Sequence, residues 1–367
     1  MKKHLDVLWY TRCPVPTGLG IAVQKGWLDE SFRQRRTEIR SLRESREQAV
    51  RESHFDHTLK NSVRHGGNIP ALWARASGRD TRLLGLSWVD ETQRILTTPD
   101  SGIRTVKDLR GRRFGLPKRT RVQIDFTRAQ ALRGLENALR LEGLDIPDVE
   151  IVDFQIDAGF SGTATSKAAG GHYVFGSSHS GGQNAELVGL LRGEVDAIFL
   201  KGAIAAEFAH HFDLHTVIDT GTHPDPRIRS NNGTPRTLTV DRHLLDHHFD
   251  SATLLVEQVL RAEAWARTHA EETRRFLALE TNSSEHWVSI AYGESVHQQI
   301  ATDLTETAIH ALQDFSDFLH RWQFIPAPVD VDAWIDARPL EAANRTRDTL
   351  AAGIVLKERE EALCALN

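Results

Sequence analysis

Leu5-Asp6-Val7-Leu8-Trp9-Tyr10-Thr11-Arg12-Cys13-Pro14-Val15-Pro16-Thr17-Gly18 is a largely apolar run that ends at a cysteine, passes two prolines and reaches a glycine. Such a run predicts a strand over residues 5–12, buried on both faces. Leu19, Val23 and Trp27 then recur at four-residue spacing, which predicts a helix over 18–30. Cys13 therefore sits where a strand hands over to a helix. That corner opens to a cleft and lies near unpaired N–H groups that favour negative charge. The plainer reading of the segment is a small hydrophobe closing a strand, the commoner fate of a free cysteine.

Working outward, the pattern gives a strand over 37–42, a helical turn over 45–52, an unassigned stretch over 53–70 and a helix over 71–76. Paired strands follow over 82–88 and 92–98. Residues 106–117 read as a crossing into a second lobe, with a helix over 126–142, a strand over 149–154, a helix over 187–192 and a turn and strand over 193–199. Residues 157–184, rich in Gly, Ser and Ala, read as a loop, with a flap over the cleft as the alternative for 170–182. Residues 220–234 read as the return crossing and 238–240 as a strand back in the first lobe. Helices dominate over 251–279 and 296–322, where Trp265 and Trp322 fall on core-facing stripes. The whole is an α/β chain with a mostly parallel sheet, in a discontinuous first lobe (1–112 and 226–367) and a second lobe (113–225). Ligands bind in clefts outside the carboxyl ends of parallel strands, where Cys13 would lie, so this layout favours the functional reading of the cysteine.

At 367 residues the chain is long enough for two ordinary domains. A formal charge of -5 and a pI near 6.4 leave no basic footprint, which argues against nucleic acid and anionic membrane as partners. Cys13 and Cys364, the only cysteines, lie at opposite ends and form no disulfide framework. Asp6 interrupts any signal-peptide core, and no run approaches the ~20 apolar residues of a membrane span. A cytoplasmic protein, expected as a monomer, is the reading.

The second informative stretch is Ser53-His54-Phe55-Asp56-His57, followed by Arg64-His65-Gly66-Gly67-Asn68-Ile69-Pro70. Histidine can take the proton of a nearby thiol, and arginine can hold a two-oxygen anion. Glycines let backbone N–H groups approach a developing oxyanion. Each is weak alone, among 18 histidines and many solvated arginines, and stronger in combination. His172 and His179, and His210-His211-Phe212-Asp213-Leu214-His215, show no recognised metal-ligand spacing and read as loop histidines; no metal is expected.

Cys13-Pro14-Val15-Pro16, His54-Phe55, Arg64 with Gly66-Gly67 and Ile69-Pro70, and Arg82-Leu83-Leu84-Gly85 resemble the aryl sulfinate desulfinases of bacterial dibenzothiophene desulfurisation. Weaker matches at 108–113 and 193–197 are shared with sulfonate- and nitrate-binding proteins. The resemblance implies a two-lobed type II periplasmic-binding-protein-like fold with an interlobe cleft. It further implies Cys13 as catalytic thiol, His54 as its hydrogen-bonded partner, Arg64 on the sulfinate oxygens and an assisting Gly67 N–H. Gly66, Phe55, His57 and Leu59 would meet the substrate, a small aromatic sulfinate of the hydroxybiphenyl type cleaved to arene and sulfite without a cofactor. Cysteine attack on sulfur and proton delivery to the ring carbon both fit. The sequence departs from the family at Leu59, at His57 and near Gln130, where the family has glutamine, tyrosine and tryptophan, so the accepted ring is expected to differ.

Two other classes compete with this reading. One is a sulfonate- or anion-binding protein in which Arg64 and Gly67 grip a ligand and Cys13 is incidental. The other is a cysteine hydrolase acting on another acid derivative.

Overall fold

The computed structural model describes residues 4–157 and 184–347. The loop and flap expected over 157–184, with His172 and His179, fall almost wholly outside the described residues, as does Cys364. Among the described residues eleven strands form two sheets: β1 (Val7–Arg12), β2 (Glu38–Ser41), β3 (Ser62–Gly66), β4 (Thr81–Ser87), β5 (Gln93–Thr97), β6 (Arg113–Arg119), β7 (Glu150–Ile156), β8 (Ala197–Lys201), β9 (His215–Asp219), β10 (Arg236–Asp241) and β11 (Thr302–Asp303). The first sheet runs β11-β4-β10-β3-β1-β2 and the second β7-β6-β8-β5-β9. A mixed α/β architecture in two lobes, each on its own sheet, is what the alternation of elements predicts.

Strand β1 pairs in parallel with β2 and β3, and β6 with β7 and β8. Each sheet also holds an antiparallel strand next to a crossing, and in the first sheet the short β11 runs antiparallel to β4 at the edge. β10, returning from the second lobe, lies between β3 and β4, while β5, entering it, lies between β8 and β9.

This topology corrects the sequence reading at two points. The strands near 82–88 and 92–98 are not partners: β4 stays in the first sheet and β5 joins the second. By sheet membership the first crossing therefore lies between β4 and β5, not at the expected boundary of 112/113. Alternating apolar residues show that a strand exists and leave its partner unspecified. The helix expected over 18–30 is two helices, Gly18–Gln24 and Trp27–Gln34, broken at Gly26 with φ 71°. The first carries Thr17 as its cap, whose Oγ1 accepts from Gly20 N at 3.1 Å.

Strand β3 was not anticipated at all. Ser62-Val63-Arg64-His65-Gly66 is mostly polar, yet all five residues are buried between β1 and β10. Around it, Leu8, Leu19, Val63, Leu84, Leu238 and Val240 pack with Leu255 and Val259 of the helix Arg242–Ala266. A second core runs from Leu83 and Leu86 of β4 through Ile95 of β5 to Phe114 and Leu135, joining the lobes at the crossing. Trp265 packs edge-on against Trp27 at 6.1 Å, whereas Trp322 is 36% exposed rather than in the core. His210 and His211 end the helix Gly202–His211 rather than a loop. Among the described residues no helix is long and apolar enough to cross a membrane, and no group of side chains could hold a metal ion.

Candidate active site

The parallel register of β1 and β3 sets Thr11 beside Arg64 and Arg12 beside His65, so the two strands end together. Past those ends, Cys13 N donates to His65 O at 3.1 Å, which fixes the cysteine beside Gly66. A Cβ on residue 66 would lie 2.3 Å from Cys13 Sγ, so glycine there makes room for the thiol. His54 arrives from the helix Gln48–Asp56 and places Nε2 3.8 Å from Cys13 Sγ.

Arg64 is fully buried and already heavily engaged. Its Nε donates to His54 O at 3.1 Å, Nη1 to Gly67 O at 2.6 Å and Nη2 to Cys13 Sγ at 3.3 Å. Of the five N–H donors of a guanidinium, two are left for a ligand. The helix Asn68–Ala76 begins at Gly67; Asn68 N and Ile69 N donate to the backbone and side chain of Asn232 at 2.9 and 3.1 Å.

Arg43, from the turn Leu42–Glu44, was not singled out by the sequence, where it is one arginine in a charged run. Its Nη2 lies 3.5 Å from His54 Nε2. A guanidinium only donates, so this Nε2 presents a lone pair, and Nδ1 carries the proton toward Thr11 Oγ1 at 2.7 Å. Burial, reinforced by Arg43 and Arg64, holds His54 well below the usual histidine range. Burial lowers Arg43 itself to about 10, with Cys13 opposing the shift. The imidazole is thus a neutral acceptor fixed in one tautomer, and a charged imidazolium between two guanidiniums is disfavoured.

These groups open into a cavity of about 360 Å³, within the ~300–1,000 Å³ range of small-molecule sites. From the first lobe it is lined by Cys13, Arg43, His54, Phe55, Arg64 and Gly67, and from the second by Phe126, Thr127, Gln130, Ala131, Phe199 and Lys201. Phe55 meets the His54 ring edge-on at 4.7 Å and stacks on Phe126 at 6.5 Å, linking the lobes. Gln130 lines the cavity, and its Oε1 accepts from Asn232 Nδ2 at 3.3 Å.

Three residues expected at the substrate do not line the cavity. Gly66 backs the thiol. His57 is buried behind the site, with Nε2 3.0 Å from Thr239 Oγ1, and burial lowers it to about 3. Leu59 N donates to Ser53 Oγ at 2.9 Å in the turn after the helix. The left-handed backbone at His57, φ 50°, ends that helix and turns residues 57–59 away from the cleft.

No family model matches the chain. It is 27% identical over 355 residues to the 2'-hydroxybiphenyl-2-sulfinate desulfinase of Rhodococcus erythropolis, covering 90% of this chain and 91% of the relative. The same enzyme of Rhodococcus qingshengii matches equally. Among solved structures, a cysteine-to-serine mutant of DszB in complex with biphenyl-2-sulfinic acid superposes with a TM-score of 0.72 at 25% identity, over 93% of this chain and 99% of that one. The periplasmic aliphatic sulphonate binding protein SsuA of Escherichia coli superposes with a TM-score of 0.63 at 15% identity, over 90% of this chain and 92% of that one, and shares the two-lobed fold.

Proposed function

We propose that this protein is an aryl sulfinate desulfinase, which cleaves the carbon–sulfur bond of a small aromatic sulfinate to give the arene and sulfite with no metal or organic cofactor. The observation that carries this reading is the juxtaposition at one wall of an aromatic-lined cavity. Cys13 Sγ lies 3.3 Å from Arg64 Nη2 and 3.8 Å from His54 Nε2. Similarity to sulfinate desulfinases over nine tenths of the chain supports the same chemistry.

Arg64 and Gly67 N–H orient the sulfinate oxygens, and Phe55, Phe126 and Phe199 hold the ring. His54 is kept from storing a proton, which favours proton delivery to the ring carbon over cysteine attack on sulfur. The Cys13 S–H proton moves to the ipso carbon, the carbon–sulfur electron pair returns to the ring, and sulfur dioxide departs. Arg43 and Arg64 steady the thiolate left behind by preorganised positive charge. Water adds to sulfur dioxide to give bisulfite, and the proton released restores the thiol. Net consumption of one water makes the reaction a hydrolysis.

Product analysis with a panel of aryl sulfinates tests this. One equivalent each of arene and sulfite is expected. Tight binding without sulfite would mean an anion-binding protein, and a carboxylate released from an ester or amide would mean a cysteine hydrolase.

A further inference from the structure

Lys201 and Glu91 form an ion pair of 2.5 Å that lines the same cavity, with side chains only 12% and 1% exposed. Glu91 lies in the segment crossing from β4 to β5, and Lys201 is the last residue of β8. Gly233, in the return segment, presses on both: a Cβ there would lie 2.0 Å from Glu91 Oε1 and 2.9 Å from Lys201 Nζ. The pair is therefore seated against bare backbone in a fixed place, beside Asn232, which itself binds the start of the helix behind Gly67.

Its charge does not balance. Arg236, fully buried, brings Nη2 to 3.9 Å of Glu91 Oε2, so two cations face one carboxylate. Arg236 Nε and Nη2 make no hydrogen bond, and one of the three Lys201 donors is spent on Glu91. Tyr292 Oη stands 3.2 Å from the position of a Cβ on Gly202 and also faces the cavity. A surplus positive charge out of water is costly unless an anion joins it. In the proposed reaction the sulfinate goes to Arg64, so the surplus charge at Lys201 and Arg236 is open to another part of the ligand.

We propose that Lys201 is a specificity residue that binds a second anionic group, a ring carboxylate, on the substrate. This rests on the desulfinase reading and names its substrate class: carboxylated aryl sulfinates in preference to neutral ones. Glu91 tempers the lysine, holding it in position and lowering the net charge while the site is empty.

The test compares kcat/KM for benzenesulfinate and its ortho-, meta- and para-carboxy derivatives in the wild type, Lys201→Met, Glu91→Gln and the charge-neutral Lys201→Met/Glu91→Gln double variant. Wild type is expected to prefer one carboxylated isomer at least tenfold. Lys201→Met and the double variant should lose that preference, Lys201→Arg should restore part of it, and Glu91→Gln should increase it by freeing a donor. Equal losses on all substrates would mean a purely structural ion pair and overturn the proposal, as would a wild type that prefers benzenesulfinate. Thermal shifts of the same proteins with the same ligands give a readout independent of turnover. Lysine-dependent stabilisation by a carboxylated sulfinate without sulfite release would uphold the subsite while the desulfinase reading fails.

Discussion

On the first-lobe face of the cavity Cys13, Arg43, His54 and Arg64, with Thr11 buried behind His54, hold one another through contacts of 2.7 to 3.8 Å. On the second-lobe face Phe126, Ala131 and Phe199 present a carbon patch, bordered by polar groups at Arg119, Thr127, Gln130, Asn184, Glu186, Lys201 and Glu207. The first face is a mutually constrained polar network, in which removing one member leaves others unsatisfied in a dry site. The carbon patch of the second is a set of largely independent van der Waals surfaces. Chemistry should therefore fail abruptly when the first face is altered, while the range of accepted rings should drift gradually when the second is.

Acid gives the largest separation of the two faces. His54, His57 and His65 are buried and depressed, the latter two to about 3, by desolvation first and by nearby arginines second. Each is neutral when folded and takes up a proton when unfolded below its ordinary value of about 6.5. The unfolded chain binds more protons there, so stability is full above about pH 6.5 and falls as the pH drops toward 3. Between pH 7 and 5 each histidine should remove roughly 2 kcal/mol, read as a falling urea midpoint. A midpoint constant over that range would show that the histidines are not buried neutral.

Arg64→Ala comes next. It deletes donors to His54, Gly67 and the thiol as well as the anion contact, and should weaken sulfinate binding by about 2–5 kcal/mol in calorimetry. Normal affinity would place the anion elsewhere. Gly66→Ala, which drives a methyl into Cys13 Sγ, should lower kcat by about a hundredfold, as expected for a misplacement of about 1 Å, with a smaller change in KM. Phe126→Ala should act mainly on KM, by about 0.5–1.5 kcal/mol through lost aromatic contact, and should broaden the rings accepted. Leu59→Gln should change kcat/KM and ring preference by less than about 0.5 kcal/mol, because Leu59 does not reach the cavity. A shift in preference in that variant would redraw the second face.

The same contrast explains what could be read without coordinates. Cys13 announced itself because an apolar strand, two prolines and a helical repeat bracket it, and His54 and Arg64 because their spacing resembles a known constellation. Strand β3 hid because its residues are chosen for the site: Arg64, His65 and Gly66 serve the cleft, and polar residues mask strand periodicity. Arg43 hid among surface arginines, since only folding shows which guanidinium is buried. The resemblance puts His57 and Leu59 at the ligand by matching them to family positions, which a left-handed residue at the helix end undoes. The pairing of β5 with β8 and β9, and hence the position of the crossing, depends on contacts more than a hundred residues away.

The central claim, that the first-lobe face breaks the carbon–sulfur bond through Cys13, is tested most directly by sulfite release from biphenyl-2-sulfinate at saturation in the wild type and Cys13→Ser, with binding of the same ligand measured for both. The account predicts sulfite from the wild type, none above background from the variant, and comparable affinity in the two proteins. Undiminished sulfite release by a folded Cys13→Ser protein would contradict it.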